Sequence, residues 1–235
     1  MNIYDSKITS LREKVNAAHQ EFDLAIQFHE AWKLAAYDMD LQKRMGKSYA
    51  THTFNVVLNA LRREMLLALM RLWDRDSKTV GMESIAENFR CDCIINTLAA
   101  KFENQDLEAE AKEKWRKEAN EVIDLVDKYS NGGTQYDLLN KLRNLRNKKF
   151  AHREVKQTKV AVAKASLTDK EIESVYQDTL KLITLLLSII GTFCELEEFA
   201  GVYRHYATFF WAGVRGEQTE GHPNYRSPIN STSDL

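Results

Sequence analysis

The sequence predicts an all-α protein, folded as a single helical bundle. Only two prolines and nine glycines occur among the 235 residues, well below the average shares of about 5% and about 7%. So few turn-forming residues do not supply the connections of a β-sandwich or of a doubly wound sheet. Apolar residues make up 44% of the chain, enough for a core. They recur at spacings of three and four, the pattern of amphipathic helices.

The spacing of apolar residues divides the chain into helices that are separated by polar turns. In the first helix, for example, Ile8, Leu11 and Val15 lie on one face. Thr168, followed three residues later by Glu171, forms a capping box that predicts the start of a last helix of about 30 residues. The helices predicted before it cover about residues 3–37, 47–73, 82–102, 106–129 and 135–145.

One domain is expected, because no repeat and no second core composition appear. The bundle is predicted to cover residues 1–212, and residues 213–235, which contain both prolines, are predicted to form a flexible tail. We expect no leader peptide and no membrane segment, since no apolar run approaches the ~20 residues of a bilayer span. The odd count of cysteines, Cys91, Cys93 and Cys194, fits a reducing cytoplasm and forms no metal-ligand pattern. A cytoplasmic protein without metal or cofactor is expected.

Positive charge is concentrated in one segment. Residues 141–164 contain nine basic residues and one acid, Glu154, so that this segment carries +8 and the remaining 211 residues carry −9. Such a segment indicates a phosphate-rich ligand. The alternative is a solvated basic loop that pairs with the acidic helix over 103–127 of the same fold.

Within the basic segment, Arg146 and His152 are residue types that suit RNA cleavage without a metal ion. A guanidinium binds a phosphodiester at two points and stabilises charge that develops on its oxygens. An imidazole accepts a proton from a ribose 2′-hydroxyl or donates one to the leaving oxygen. On a straight helix these two side chains would point about 120° apart. They can therefore meet at one phosphate only if the helix is interrupted or if two chains pool their residues.

Arg146-Asn147 followed by His152 resembles the motif of HEPN domains, in which an arginine, often followed by a polar residue, precedes a histidine by a short spacer. The preceding layout, in which residues 69–74 end a long helix, resembles the abortive-infection branch of that superfamily. The resemblance covers about residues 1–200. It implies an all-α bundle that dimerises and brings two copies of the motif together in a cleft. Many HEPN proteins are metal-independent endoribonucleases that act as toxins or antiviral effectors, and others only bind nucleotides or RNA.

The resemblance implies specific roles for the residues of this motif. Arg146 would bind the scissile phosphate, His152 would transfer protons, and Asn147 would orient the phosphate or the imidazole. The expected partners are RNA, a second copy of the chain, and an antitoxin or regulatory protein, with no cofactor. The residues expected to bind RNA electrostatically are Arg143, Lys148, Lys149 and Arg153.

Other interpretations of the same residues remain open. The spacing of arginine and histidine also occurs at 12–19 and at 215–222, where the following asparagine and the basic surroundings are missing. Arg146 and His152 could instead cap a helix and bind the acidic helix. The chain as a whole could be a non-catalytic module that binds RNA or nucleotides, or a helical scaffold that docks on an acidic partner.

A cluster of aromatic residues near the end of the chain also has two interpretations. The side chains could stack on bases, but aromatics at helical spacing more often pack in a core or at a dimer contact. Packing is the favoured interpretation. The cluster consists of Tyr203, Tyr206, Phe209, Phe210 and Trp211.

Overall fold

The computed structural model of the protein describes residues 3–74, 81–146 and 167–225. Within these ranges the regular structure consists of nine α-helices and one short 3₁₀ helix, with no strand. The predicted all-α class is therefore confirmed. In chain order, the α-helices are α1 (Ile3–Tyr37), α2 (Met39–Met45), α3 (Ala50–Leu72), α4 (Met82–Ala86), α5 (Cys93–Ala99), α6 (Gln105–Tyr129), α7 (Tyr136–Leu145), α8 (Asp169–Ile189) and α9 (Leu196–Ala212).

The helix predicted over 82–102 is interrupted. It consists of α4, the 3₁₀ helix Glu87–Phe89 and α5, with a turn at residues 90–92. In this turn a disulfide joins Cys91 to Cys93. Residues two apart on an α-helix point about 200° from each other, so a continuous helix could not hold these two sulfurs together.

The last predicted helix is also shorter than expected. Its capping box is confirmed, since the Glu171 N–H donates to Thr168 Oγ1 over 3.2 Å and the Thr168 N–H donates to Glu171 Oε2 over 2.8 Å. The helix α8 ends at Ile189 because Gly191 adopts a φ of 78°. The Thr192 N–H donates to the Leu187 carbonyl over 2.9 Å, which completes a Schellman motif. A separate helix, α9, then begins at Leu196.

The chain forms two compact units. Unit one consists of Met1–Ala25 and Leu66–Leu196. In it, α6 packs along α8, and α4 and α5 pack against α6. Aromatic residues lie inside this core, where the rings of Phe22 and Tyr176 are 5.6 Å apart. Unit one contains Arg146, the one residue of the predicted Arg–His segment that lies within the described ranges.

Unit two consists of Ile26–Met65 and Glu197–Leu235. Trp211 of α9 is buried in its core, where its ring meets Phe54 edge-on at 5.7 Å. The chain after α9 also contacts this unit, because the Gly216 N–H donates to the Arg44 carbonyl over 2.9 Å. The flexibility of residues 213–235 stays a prediction, and residues 226–235 lie outside the described ranges.

The aromatic cluster of α9 is only partly packed. Trp211 is buried, as packing requires, but Tyr206, Phe209 and Phe210 are each more than 60% exposed. Packing within the chain therefore holds for Trp211, and Tyr203 is partly buried. For Tyr206, Phe209 and Phe210, a dimer contact and stacking on bases both stay predictions.

Candidate functional site

The helix α7 presents two different faces. Four leucines at helical spacing are buried: Leu138, Leu139, Leu142 and Leu145. Arg143 and Arg146 are three residues apart, so their side chains project on the same side of the helix. The helix ends at Leu145, and Arg146 is its C-cap residue. Arg146 therefore lies at the point where the regular helix stops.

Both arginines contact the end of α3. Arg146 Nη1 lies 2.8 Å from Asp74 Oδ2, and Arg143 Nη2 donates to the Trp73 carbonyl over 2.9 Å. Carbonyls at a helix C-terminus carry partial negative charge, which a guanidinium neutralises. Two charge-assisted bonds therefore join the ends of α3 and α7.

The Arg146–Asp74 ion pair is partly accessible to solvent. The exposed fraction is 30% for the Arg146 side chain and 28% for the Asp74 side chain. The Arg146 side chain is therefore bonded to Asp74 and remains partly exposed to solvent.

Trp73, which precedes Asp74, connects the site to the core of unit one. It is buried, its indole packs on the Tyr129 ring at a centroid distance of 4.7 Å, and its Nε1–H donates to Thr179 Oγ1 over 3.0 Å. Tyr129 in turn donates to Asp178 Oδ2 over 2.6 Å. Burial, reinforced by this carboxylate, raises the pKa of Tyr129 far above its usual range, so the phenol stays protonated and serves as a donor. The end of α3 is therefore held by contacts with Tyr129 of α6 and Thr179 of α8.

Lys141, the first residue of the basic segment, contacts α8. Its Nζ lies 2.7 Å from Glu171 Oε1, and this bond lowers the pKa of Glu171 below its ordinary value. Two acids of α6 have other partners, since Asp127 is bound to Arg90 and Glu121 is bound to Lys181. Lys141, Arg143 and Arg146 thus form bonds to the start of α8 and to the end of α3.

The structure places two of the predicted site residues next to each other. Arg143 and Arg146 meet at the end of α3, as described above. The roles predicted for them stay predictions. The remaining predicted residues lie outside the described ranges: Asn147, Lys148, Lys149, His152 and Arg153.

Asp74 belongs to this site, although it is not part of the Arg–His motif. The sequence pattern marks it only as the end of a helix, whereas in the structure its carboxylate pairs with Arg146. The two residues are 72 positions apart in the chain, and nothing in the local pattern connects them. The position of Asp74 at the end of a long helix is the one sequence feature that could have drawn attention to it.

Comparison with known families agrees with this architecture. The family model HEPN_AbiU2, described as AbiU2, matches residues 8–210, which places the chain in the HEPN class. It belongs to the AbiU2 family, within the abortive-infection branch. The predicted resemblance is therefore confirmed. Neither the curated proteins nor the solved structures gave a match.

The described residues form no grouped metal centre and no helix that could span a membrane. Among them, no three metal-binding side chains (His, Cys, Asp or Glu) come together in a group that could hold an ion. None of the described helices combines the length and the apolar character needed to span a bilayer.

Proposed function

We propose that this protein is a metal-independent endoribonuclease that acts as a toxin or antiviral-defence effector in the cytoplasm. The observation that carries the proposal is the position of Arg146 in a chain of HEPN class. Its guanidinium lies at the end of α7, fixed by Asp74 at 2.8 Å and partly exposed. A fixed, accessible guanidinium is suited to binding a phosphodiester without reorganisation.

In the proposed reaction, the attacking group belongs to the RNA itself. His152 removes the proton of a ribose 2′-hydroxyl, the 2′-oxygen attacks the adjacent phosphorus, and the bond to the 5′-oxygen breaks. The protonated imidazole then gives its proton to the leaving 5′-oxygen. Arg146 stabilises the charge that develops on the phosphoryl oxygens. Asn147 orients the phosphate or the imidazole. Arg143, Lys148, Lys149 and Arg153 attract the RNA backbone.

The active form is proposed to be a homodimer in which two copies of the motif share one cleft. The exposed Tyr206, Phe209 and Phe210 of α9 are available for contact with another molecule. An antitoxin or another regulatory protein is the further partner proposed. Light scattering should give the mass of two chains at micromolar concentration, and a monomer would contradict this part of the proposal.

Cleavage of RNA in the presence of EDTA tests the proposed reaction. Single-stranded RNA should be cut to products with 2′,3′-cyclic phosphate ends, and DNA, which lacks the 2′-hydroxyl, should stay intact. His152→Ala should reduce cleavage by about 10²- to 10⁴-fold and leave RNA affinity nearly unchanged. Arg146→Ala should weaken both binding and cleavage, because the guanidinium contacts the phosphate before and during the reaction.

The chain offers matched controls for both substitutions. Arg215 and His222 have a similar spacing, but Arg215 Nη1 donates to the Glu220 carbonyl over 3.0 Å, and His222 Nδ1 accepts the Asn224 N–H over 3.0 Å. Arg215→Ala and His222→Ala should therefore cleave like the wild type. Cleavage that requires magnesium, or that survives in His152→Ala, would overturn the proposal.

A non-catalytic RNA-binding module is the second candidate. It is favoured by the charge of +8 on residues 141–164, because this charge attracts the RNA backbone whether or not cleavage follows. It predicts RNA binding, measured by fluorescence anisotropy, without cleavage under any condition. The absence of RNA binding at low salt would instead favour a scaffold.

A further inference from the structure

The turn between the 3₁₀ helix and α5 contains a pair of cysteines that the proposed function does not use. Cys91 and Cys93 form a disulfide, with their Cα atoms 5.3 Å apart. Cys91 is exposed and Cys93 is partly exposed. Thiols and disulfides in solution can therefore reach this pair, unlike a disulfide inside a core.

The fold gains little from this bond. A disulfide stabilises a protein mainly by restricting its unfolded chain, and the effect decreases as the closed loop becomes shorter. Here a single residue, Asp92, separates the two cysteines. The turn is also held by ion pairs to α6, with Arg90–Asp127 at 2.6 Å and Asp92–Arg116 at 2.9 Å. The bond is thus not needed to hold this turn in place.

Charged side chains, two lysines among them, lie around the two cysteines. Both line a cavity of about 390 Å³ together with Lys7 and Lys14 of α1. Lys14 Nζ donates to Ser84 Oγ over 3.0 Å, which places its ammonium group at the cavity wall. Glu87 also lines the cavity, and its carboxylate is bonded to Arg90 over 3.0 Å. Ammonium groups near a thiol favour the thiolate, which is the form that reacts in disulfide exchange.

We propose that Cys91 and Cys93 are a reversible redox centre that exchanges with small-molecule thiols and disulfides such as glutathione. In oxidation, the Cys91 thiolate attacks one sulfur of glutathione disulfide, which forms a mixed disulfide and releases one glutathione. The Cys93 thiolate then attacks the Cys91 sulfur and releases the second glutathione. Two electrons pass from the cysteines to the glutathione disulfide, and the two protons end on the two glutathione thiols. Reduction by two glutathione molecules reverses these steps.

Alkylation and mass spectrometry on the full chain test the exchange. Protein reduced with dithiothreitol is equilibrated with mixtures of reduced and oxidised glutathione, and the free thiols are trapped with iodoacetamide. Cys91 and Cys93 should change together from alkylated to disulfide-bonded as the oxidised share rises, and should revert when it falls. Cys194→Ser should behave in the same way, since Cys194 is not part of the pair. A pair that stays alkylated, or that stays oxidised, across all mixtures would overturn the proposal.

Single substitutions test the order of the steps. Cys93→Ser should stop the exchange at the mixed disulfide on Cys91, detected as one bound glutathione. Cys91→Ser should form much less of this adduct, because Cys93 is less exposed. Equal adduct in the two variants would contradict the assignment of Cys91 as the attacking residue.

The rate of alkylation of Cys91 tests whether Lys7 and Lys14 increase its reactivity. In the reduced Cys93→Ser background, replacing Lys7 and Lys14 by glutamine should slow the alkylation of Cys91 about 3- to 10-fold at neutral pH, since less thiolate is present. Lys170→Gln, a change at an exposed lysine on α8, should leave the rate unchanged. Circular dichroism checks that each variant is folded. Equal rates in the lysine variant and in its control would overturn the basic environment as the cause of reactivity.

Discussion

The ion pair between Arg146 and Asp74 makes a quantitative prediction about the site. Its atoms are 2.8 Å apart, and about a third of each side chain is exposed. Unit charges about 4 Å apart attract by about 4 kcal/mol at the effective dielectric constant of a protein surface. Desolvation and the loss of side-chain freedom offset much of this attraction. We therefore expect a net coupling energy of about 1–2 kcal/mol between the two side chains.

A double-mutant cycle measures this coupling. The free energy of unfolding is obtained by urea denaturation for the wild type, Asp74→Asn, Arg146→Met and the double variant. Asp124→Asn, a change at an exposed residue of α6, serves as the control and should not couple to Arg146→Met. A coupling energy below about 0.3 kcal/mol would refute the conclusion that Asp74 holds Arg146.

The substitution Asp74→Asn also has a kinetic consequence if the proposed cleavage takes place. Without the carboxylate, the Arg146 guanidinium is less fixed, and kcat should fall by up to about 10²-fold. RNA affinity should stay equal or increase, because a negative charge near the phosphate has been removed. A rise in KM with unchanged kcat would show that Asp74 affects binding and does not position Arg146 for the reaction.

Two further predictions concern stability, measured by urea denaturation. Arg204 Nε lies 2.7 Å from the buried carboxylate of Glu30, so Arg204→Met should cost about 2–3 kcal/mol at neutral pH. Burial raises the pKa of Glu30, but the bonds from His29 and Arg204 outweigh it and leave the pKa below the ordinary value of 4.5. The stabilisation is therefore present above pH 4.5 and is lost at lower pH, so an equal effect of Arg204→Met at neutral and strongly acidic pH would contradict this cause. Gly133→Ala should cost about 3 kcal/mol, because its Cβ would overlap two backbone carbonyls near the end of α6. Gly132→Ala, at a φ of 87° in open space, should cost only about 1 kcal/mol, and equal costs would contradict the overlap.

The sequence was sufficient for features that depend on neighbouring residues. Helix periodicity and the capping box at Thr168 both arise within a few positions of the chain, so composition and spacing predict them. The first helix was predicted over the range that the structure has, Ile3–Tyr37. The motif around Arg146 was found in the same way, because the spacing of residue types is itself a local property.

Only the tertiary structure decided which distant groups meet. The Arg146 guanidinium has its carboxylate partner 72 residues earlier in the chain, and Arg143 binds a backbone carbonyl, which carries no sequence signal. The helix predicted over 82–102 breaks where Arg90 and Asp92 bind α6. The sequence also could not show which aromatic side chains of α9 are exposed. Periodicity places Tyr206, Phe209 and Trp211 on a helix, but burial of Trp211 alone depends on the elements that pack against it. Spacing along the chain fixes the direction of a side chain from its own helix, whereas contact and burial are set by what the rest of the fold brings against it.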